Sequence, residues 1–103
     1  MTFPSDIATR LSSWAERKPA ISELWLFGSR ARGDHRPDSD VDLAIWLPGH
    51  KGQALALYVA KGDEWQSEIE AVAGMPASLQ VLGYSDELDK IVHREGVRLW
   101  ERP

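Results

Sequence analysis

Asp40 and Asp42, separated by one valine and followed by the apolar run Leu43 to Leu47, are the residues of this chain best suited to do chemistry. Read as part of a strand, the alternation sets both carboxylates on one face, one pleat apart. Two such charges repel. A fold keeps them side by side mainly when a cation sits between them or a proton is shared. Ten residues separate Asp40 from Gly28-Ser29, which stands at the end of a second apolar run, Leu24 to Phe27. A glycine–serine bend offers a tight turn, free backbone N–H groups and a hydroxyl, which is anion-binding chemistry. A dication site facing a phosphate cradle suits the handling of nucleoside triphosphates.

Each feature alone has a plainer reading. Gly28-Ser29 without the two aspartates is an ordinary turn, and Asp40 can simply cap a loop. Asp42 is harder to dismiss, because a carboxylate inside an apolar strand is costly without a partner. Arg30, Arg32 and Arg36 share the intervening loop. They are either solvated charges or ligands for a polyphosphate or an acidic partner. His35 stands in the same loop and is either solvated or in reach of a substrate; His50 and His93 carry no signal.

The elements that must hold these residues follow from periodicity. Pro4-Ser5 reads as a helix entry with Ser5 as cap, and Ile7, Leu11 and Trp14 share one helical face, so a helix is predicted over 6–17. Strands are predicted over 21–27 and 41–47, with Ser29 to Arg32 starting a short helical turn that Gly33 ends. So short a link favours antiparallel pairing of the two strands. Leu55, Tyr58, Gly62, Trp65, Ile69 and Val72 keep helical steps over 52–72, with Gly62 marking a place for a bend. A third strand over 77–82, a helix over 86–94 capped by Ser85 and stopped by Gly96, and a short strand over 97–100 complete the order. This is an α+β fold: one mixed sheet packed against helices.

With 103 residues the chain is expected to form a single domain, 1–103. An apolar content of 43% and 27% charged residues are those of a soluble globular protein. No apolar run reaches membrane-spanning length, and the N-terminus lacks a signal-peptide core, so a cytoplasmic protein with no membrane partner is expected. The absence of cysteine excludes disulfides and thiolate metal sites. The net charge of −4 argues against binding bulk nucleic acid. Five tryptophans are many for this length; either most sit half-buried in a small core, or one or two anchor a protein interface.

Gly28-Ser29, ten residues, then Asp40-Val41-Asp42, set between two predicted strands, resemble the signature of the nucleotidyltransferase superfamily related to DNA polymerase beta. The short chain and the turn Gly28-Ser29-Arg30-Ala31-Arg32-Gly33 resemble its smallest branch, the minimal nucleotidyltransferases. The resemblance implies a nucleotidyltransferase-like fold and transfer of an NMP group, typically AMP from ATP, to an acceptor. It makes Asp40 and Asp42 the catalytic residues and the ligands of Mg2+ in a two-ion site. It makes Gly28 and Ser29, with Arg30 and Arg32, the nucleotide-binding residues. It also implies a partner, a helical HEPN-type protein in a toxin–antitoxin pair, within a homo- or hetero-oligomer. One departure stands out. The family places a third acidic residue on the next strand, and Gln80 is the position that aligns with it, so an inactive nucleotide-binding module that works by complex formation is the alternative.

Overall fold

The computed structural model describes residues 3–49 and 51–103; His50 lies outside them. Among the described residues eight elements follow one another: α1 (Ser5–Glu16), β1 (Glu23–Phe27), α2 (Ser29–Arg32), β2 (Val41–Trp46), α3 (Lys51–Ala73), β3 (Ala77–Val81), α4 (Asp86–Glu95) and β4 (Val97–Glu101). The predicted order and boundaries hold to within about two residues. Ser5, expected to cap α1, instead lies inside its first turn, with Pro4 before it. Ser85 caps α4 as expected, its side chain accepting from Leu88 N.

The four strands form one mixed sheet in the order β3-β2-β1-β4. β1 runs antiparallel to both β2 and β4, and β2 runs parallel to β3. The chain dictates this. The link between β1 and β2 holds only the one-turn α2, which does not span the sheet as a crossover helix, whereas α3 supplies the long connection that a parallel β2–β3 pair requires. α3 passes through Gly62 as a single helix. There the glycine leaves room for the ring of Tyr58, whose hydroxyl donates to Leu79 O at 2.8 Å.

Alternation divides the side chains between two layers. Leu24, Leu26, Val41, Leu43, Ile45 and Leu79 face α1 and α3, where Leu11, Trp14, Trp65 and Ile69 close a continuous core. Ala44 faces the other way, against Leu82 and Val92, with Trp25, Phe27 and Leu88 around them. Asp42 shares the Ala44 face by the period of two. Trp14 and Trp65 are buried, Trp25 and Trp100 are half-buried, and Trp46 is 40% exposed. The tryptophans therefore serve mostly the core.

Both sheet edges are covered by side chains. Glu70 accepts from Ala77 N (3.0 Å) and Tyr58 donates to Leu79 O along β3. On β4 a register shift opposite Leu24 and Trp25 breaks the ladder, and Ser12 donates to Leu99 O at 2.7 Å. Such devices discourage edge-to-edge pairing. Gly96 follows α4 without the left-handed conformation of a glycine stop (φ −75°, ψ 158°). A Cβ there would run into Val92 O and come within 3.2 Å of Leu26 O. The carbonyl of Val92 in the last turn of α4, with Leu26 O of β1 close behind it, demands the glycine; backbone handedness does not.

Candidate functional site

β1 ends at Phe27, and the chain turns at once through Gly28 with φ 75° and ψ −157°. That region of backbone space is essentially open to glycine alone. Ala31 N and Arg32 N both donate to Gly28 O at 3.1 Å, and Gly33 N and Asp34 N donate to Ser29 O. These bonds wind α2 into a single turn. Ser29 N–H, Arg30 N–H and the Ser29 hydroxyl take no part in them and carry no hydrogen bond among the described residues. They are free donors.

β2 returns beside β1, with Asp42 in register with Phe27. The Asp42 carboxylate lies against the Cα of Gly28, where any other residue would carry its Cβ. The two halves of the sequence motif are therefore in van der Waals contact. Burial, and then the charge of Asp40, push the Asp42 carboxyl above its ordinary value, while Arg32 opposes the rise. Asp40 stands one residue before the strand and is exposed, within reach of Asp42 by its charge.

The arginines divide. Arg30, expected to bind nucleotide, is buried at 7% exposure and turned into its own loop. Its Nε and Nη2 donate to Ser39 O (3.1 and 2.9 Å), and Nη2 reaches Pro37 O at 3.5 Å. Its guanidinium holds the loop that delivers Asp40. Arg32 stays at the surface. Its Nε donates to Asp34 Oδ2 (3.2 Å) and its Nη1 to Glu95 Oε1 (2.9 Å). The hydrogen bond that Arg32 donates to Asp34 is the largest cause holding its guanidinium above the usual range. Arg36 is exposed; its N–H donates to the Ser39 hydroxyl in the turn. His35 is half-buried with Nδ1 unpartnered.

The register of β3 corrects the reading of Gln80. Val41 N donates to Pro76 O, and from there the parallel ladder sets Ser78 beside Asp42 and Gln80 beside Ala44. The position next to the carboxylate is a serine hydroxyl, and Gln80 is exposed one pleat farther along. No group of three or more His, Cys, Asp or Glu that could hold a metal forms among the described residues. Ser78 and Glu95 are the site neighbours that sequence reasoning missed. Neither lies near the motif in the chain, and only strand register and helix packing bring them to it.

What remains is a surface with free donors at one end and two coupled carboxylates against it. A groove of about 550 Å3 between α1 and the end of α3, lined by Thr9, Arg10, Ser13, Arg17 and Val72, has no such arrangement.

No curated protein matches the chain in sequence. Several solved structures match it in fold. A chain from a crystal structure of a toxin–antitoxin with AMP-PNP superposes with a TM-score of 0.71 at 21% identity, over 91% of this chain and 73% of that one. A mutant of the toxin–antitoxin MntA–HpeT gives 0.70 at 18% identity, over 91% and 73%. A tri-AMPylated Shewanella oneidensis HEPN toxin in complex with MNT antitoxin gives 0.64 at 18% identity, over 92% and 70%. At these identities the likeness is one of fold. Residues 8–95 match the model of the nucleotidyltransferase domain, a span that runs from α1 to the end of α4 and holds both halves of the motif, and the chain therefore belongs to that family.

Proposed function

We propose that this domain transfers the NMP group of a nucleoside triphosphate, AMP from ATP, to an acceptor hydroxyl. The observation that carries the reading is the Asp42 carboxylate seated on the Cα of Gly28. It joins the carboxylate pair to the free donors of the turn, as transfer from a triphosphate requires. The acceptor hydroxyl gives up its proton to solvent as its oxygen bonds to the α-phosphorus, the bond from that phosphorus to the bridging oxygen of the β-phosphate breaks, and pyrophosphate leaves. Ser29 N–H, Arg30 N–H and the Ser29 hydroxyl donate to the outer phosphates, and Gly28 lets the backbone approach them.

Asp40 and Asp42 are the residues to hold Mg2+. The donor set fits: both are hard oxygen ligands, and Asp42 is burdened by burial and by its neighbour's charge, which a cation relieves. Bound there, the ion neutralises charge that builds on the entering and leaving oxygens.

The acceptor in this reading is a protein partner of the HEPN type, with this chain as the antitoxin of the pair. Support comes from the fold neighbours, which are toxin–antitoxin structures, one with AMP-PNP and one with an AMPylated HEPN toxin. The test uses ATP labelled at the α-phosphate, magnesium and the candidate helical partner. Label appears on the partner with the native chain and is absent with Asp42→Asn.

A second reading is a module that binds the partner without turnover. Ser78 favours it, because the residue beside Asp42 on the neighbouring strand carries no charge and accepts no proton at neutral pH. Tight complex formation with no label, unchanged by Asp42→Asn, selects this reading.

A further inference from the structure

Arg32 is gripped by two carboxylates from opposite directions in the chain. Asp34 holds Nε from two residues away, and Glu95 holds Nη1 from the last turn of α4, 63 residues on. The two grips differ in strength. The Asp34 side chain is 62% exposed and screened by solvent, whereas that of Glu95 is only 19% exposed. With Nε and Nη1 engaged, Nη2 is the guanidinium nitrogen without a hydrogen bond among the described residues. The arginine rises from α2, the same turn that carries the free donors of Ser29 and Arg30, and its charge is felt at Asp42.

A free arginine loses much of its rotamer freedom when it closes on a phosphate. An arginine already held, chiefly by the shielded Glu95, has lost part of that freedom before the ligand arrives, and binds at less cost. Among the described residues the Glu95 side chain has no other hydrogen bond or ion pair that would explain its shielded place at the end of α4. We propose that Glu95 is a positioning residue of the nucleotide site, acting through Arg32 to present Nη2 to the outer phosphates of the triphosphate. The proposal rests on the nucleotide-site reading above and adds to it a residue from the far side of the fold.

The test is calorimetric titration of the full chain with Mg-ATP and, separately, with AMP. Glu95→Ala is expected to weaken Mg-ATP binding by about fivefold to tenfold, because the arginine must be ordered at the moment of binding. AMP, which lacks the outer phosphates, is expected to bind Glu95→Ala and the native chain alike. Glu95→Gln keeps an oxygen that accepts from Nη1 and is expected to bind Mg-ATP close to the native level. Arg32→Ala is expected to lose at least as much as Glu95→Ala, and the double variant no more than Arg32→Ala alone. Equal loss for ATP and AMP reveals a merely structural role and overturns the proposal. So does tighter ATP binding in Glu95→Ala, which would mean that the glutamate withholds the arginine, or additive losses in the double variant. A native chain that binds neither nucleotide sinks the site reading and this proposal together. A native chain that binds Mg-ATP with Glu95→Ala unchanged sinks the proposal alone.

Discussion

The Asp42 carboxylate occupies the space in which a side chain at position 28 would begin. Gly28 is thus required twice, once by its positive φ and once by the acid that lies on it. Gly28→Ala is expected to destabilise the fold by about 1–3 kcal/mol through backbone strain alone, and to push Asp42 from its place. Urea denaturation of Gly28→Ala, Asp42→Ala and the double variant checks this. The double variant should be more stable than the sum of the two single changes predicts, because the overlap disappears with the carboxylate.

The acid limb of stability separates two carboxyl groups displaced in opposite directions, Asp42 upward and Glu68 downward. The Asp42 carboxyl is raised above 3.8, by burial first and by Asp40 second. Its contribution is therefore favourable at acid pH and is lost as pH rises through the raised value. Asp42→Asn is expected to raise the melting temperature at neutral pH without magnesium, with the gain vanishing well below that window. Glu68 is the reverse: Lys18 at 2.6 Å and Trp14 Nε1 at 2.8 Å hold its carboxyl below 4.5. Its contribution is present above 4.5 and is lost as pH falls through the lowered value. Glu68→Gln is expected to lower the melting temperature at neutral pH and to change little in strong acid. Thermal scans across pH of both variants read the two effects.

Ser78 sits where a third carboxylate would meet Asp42. Ser78→Asp is expected to lower the melting temperature of the metal-free chain, since it adds a like charge to a crowded face. Magnesium should then stabilise the variant more than the native chain, by about 1.4 kcal/mol for a tenfold gain in affinity. Melting with and without the ion checks both signs. Equal shifts in the two proteins would place the ion elsewhere.

Arg30 is buried to satisfy loop carbonyls. Arg30→Ala leaves Ser39 O and Pro37 O without their donors and opens a void, and is expected to cost about 2–3 kcal/mol. Chemical denaturation measures the loss. Because Ser39 precedes Asp40, magnesium binding should weaken in the same variant, although the side chain touches no ligand.

The sequence by itself determined the element order, the antiparallel β1–β2 hairpin and the motif residues. These features depend on short-range rules: helical and strand periodicity, turn residues and the length of the link between two strands. The face shared by Asp42 and Ala44 was legible for the same reason. Only the tertiary structure decided the register of β3 against β2, which set Ser78 rather than Gln80 beside Asp42. A slip along a strand of this kind leaves the local pattern unchanged and moves every neighbour. The tertiary structure also decided which arginine turns inward: Arg30 and Arg32 differ by two positions in one turn, and their surroundings, not their type, send one to carbonyls and the other to Glu95. Gly96 is the same lesson in the backbone: it stops α4 as its position suggested, but what excludes a side chain there is the Val92 carbonyl, with Leu26 O of β1 beside it, and the second of these comes from a distant part of the chain.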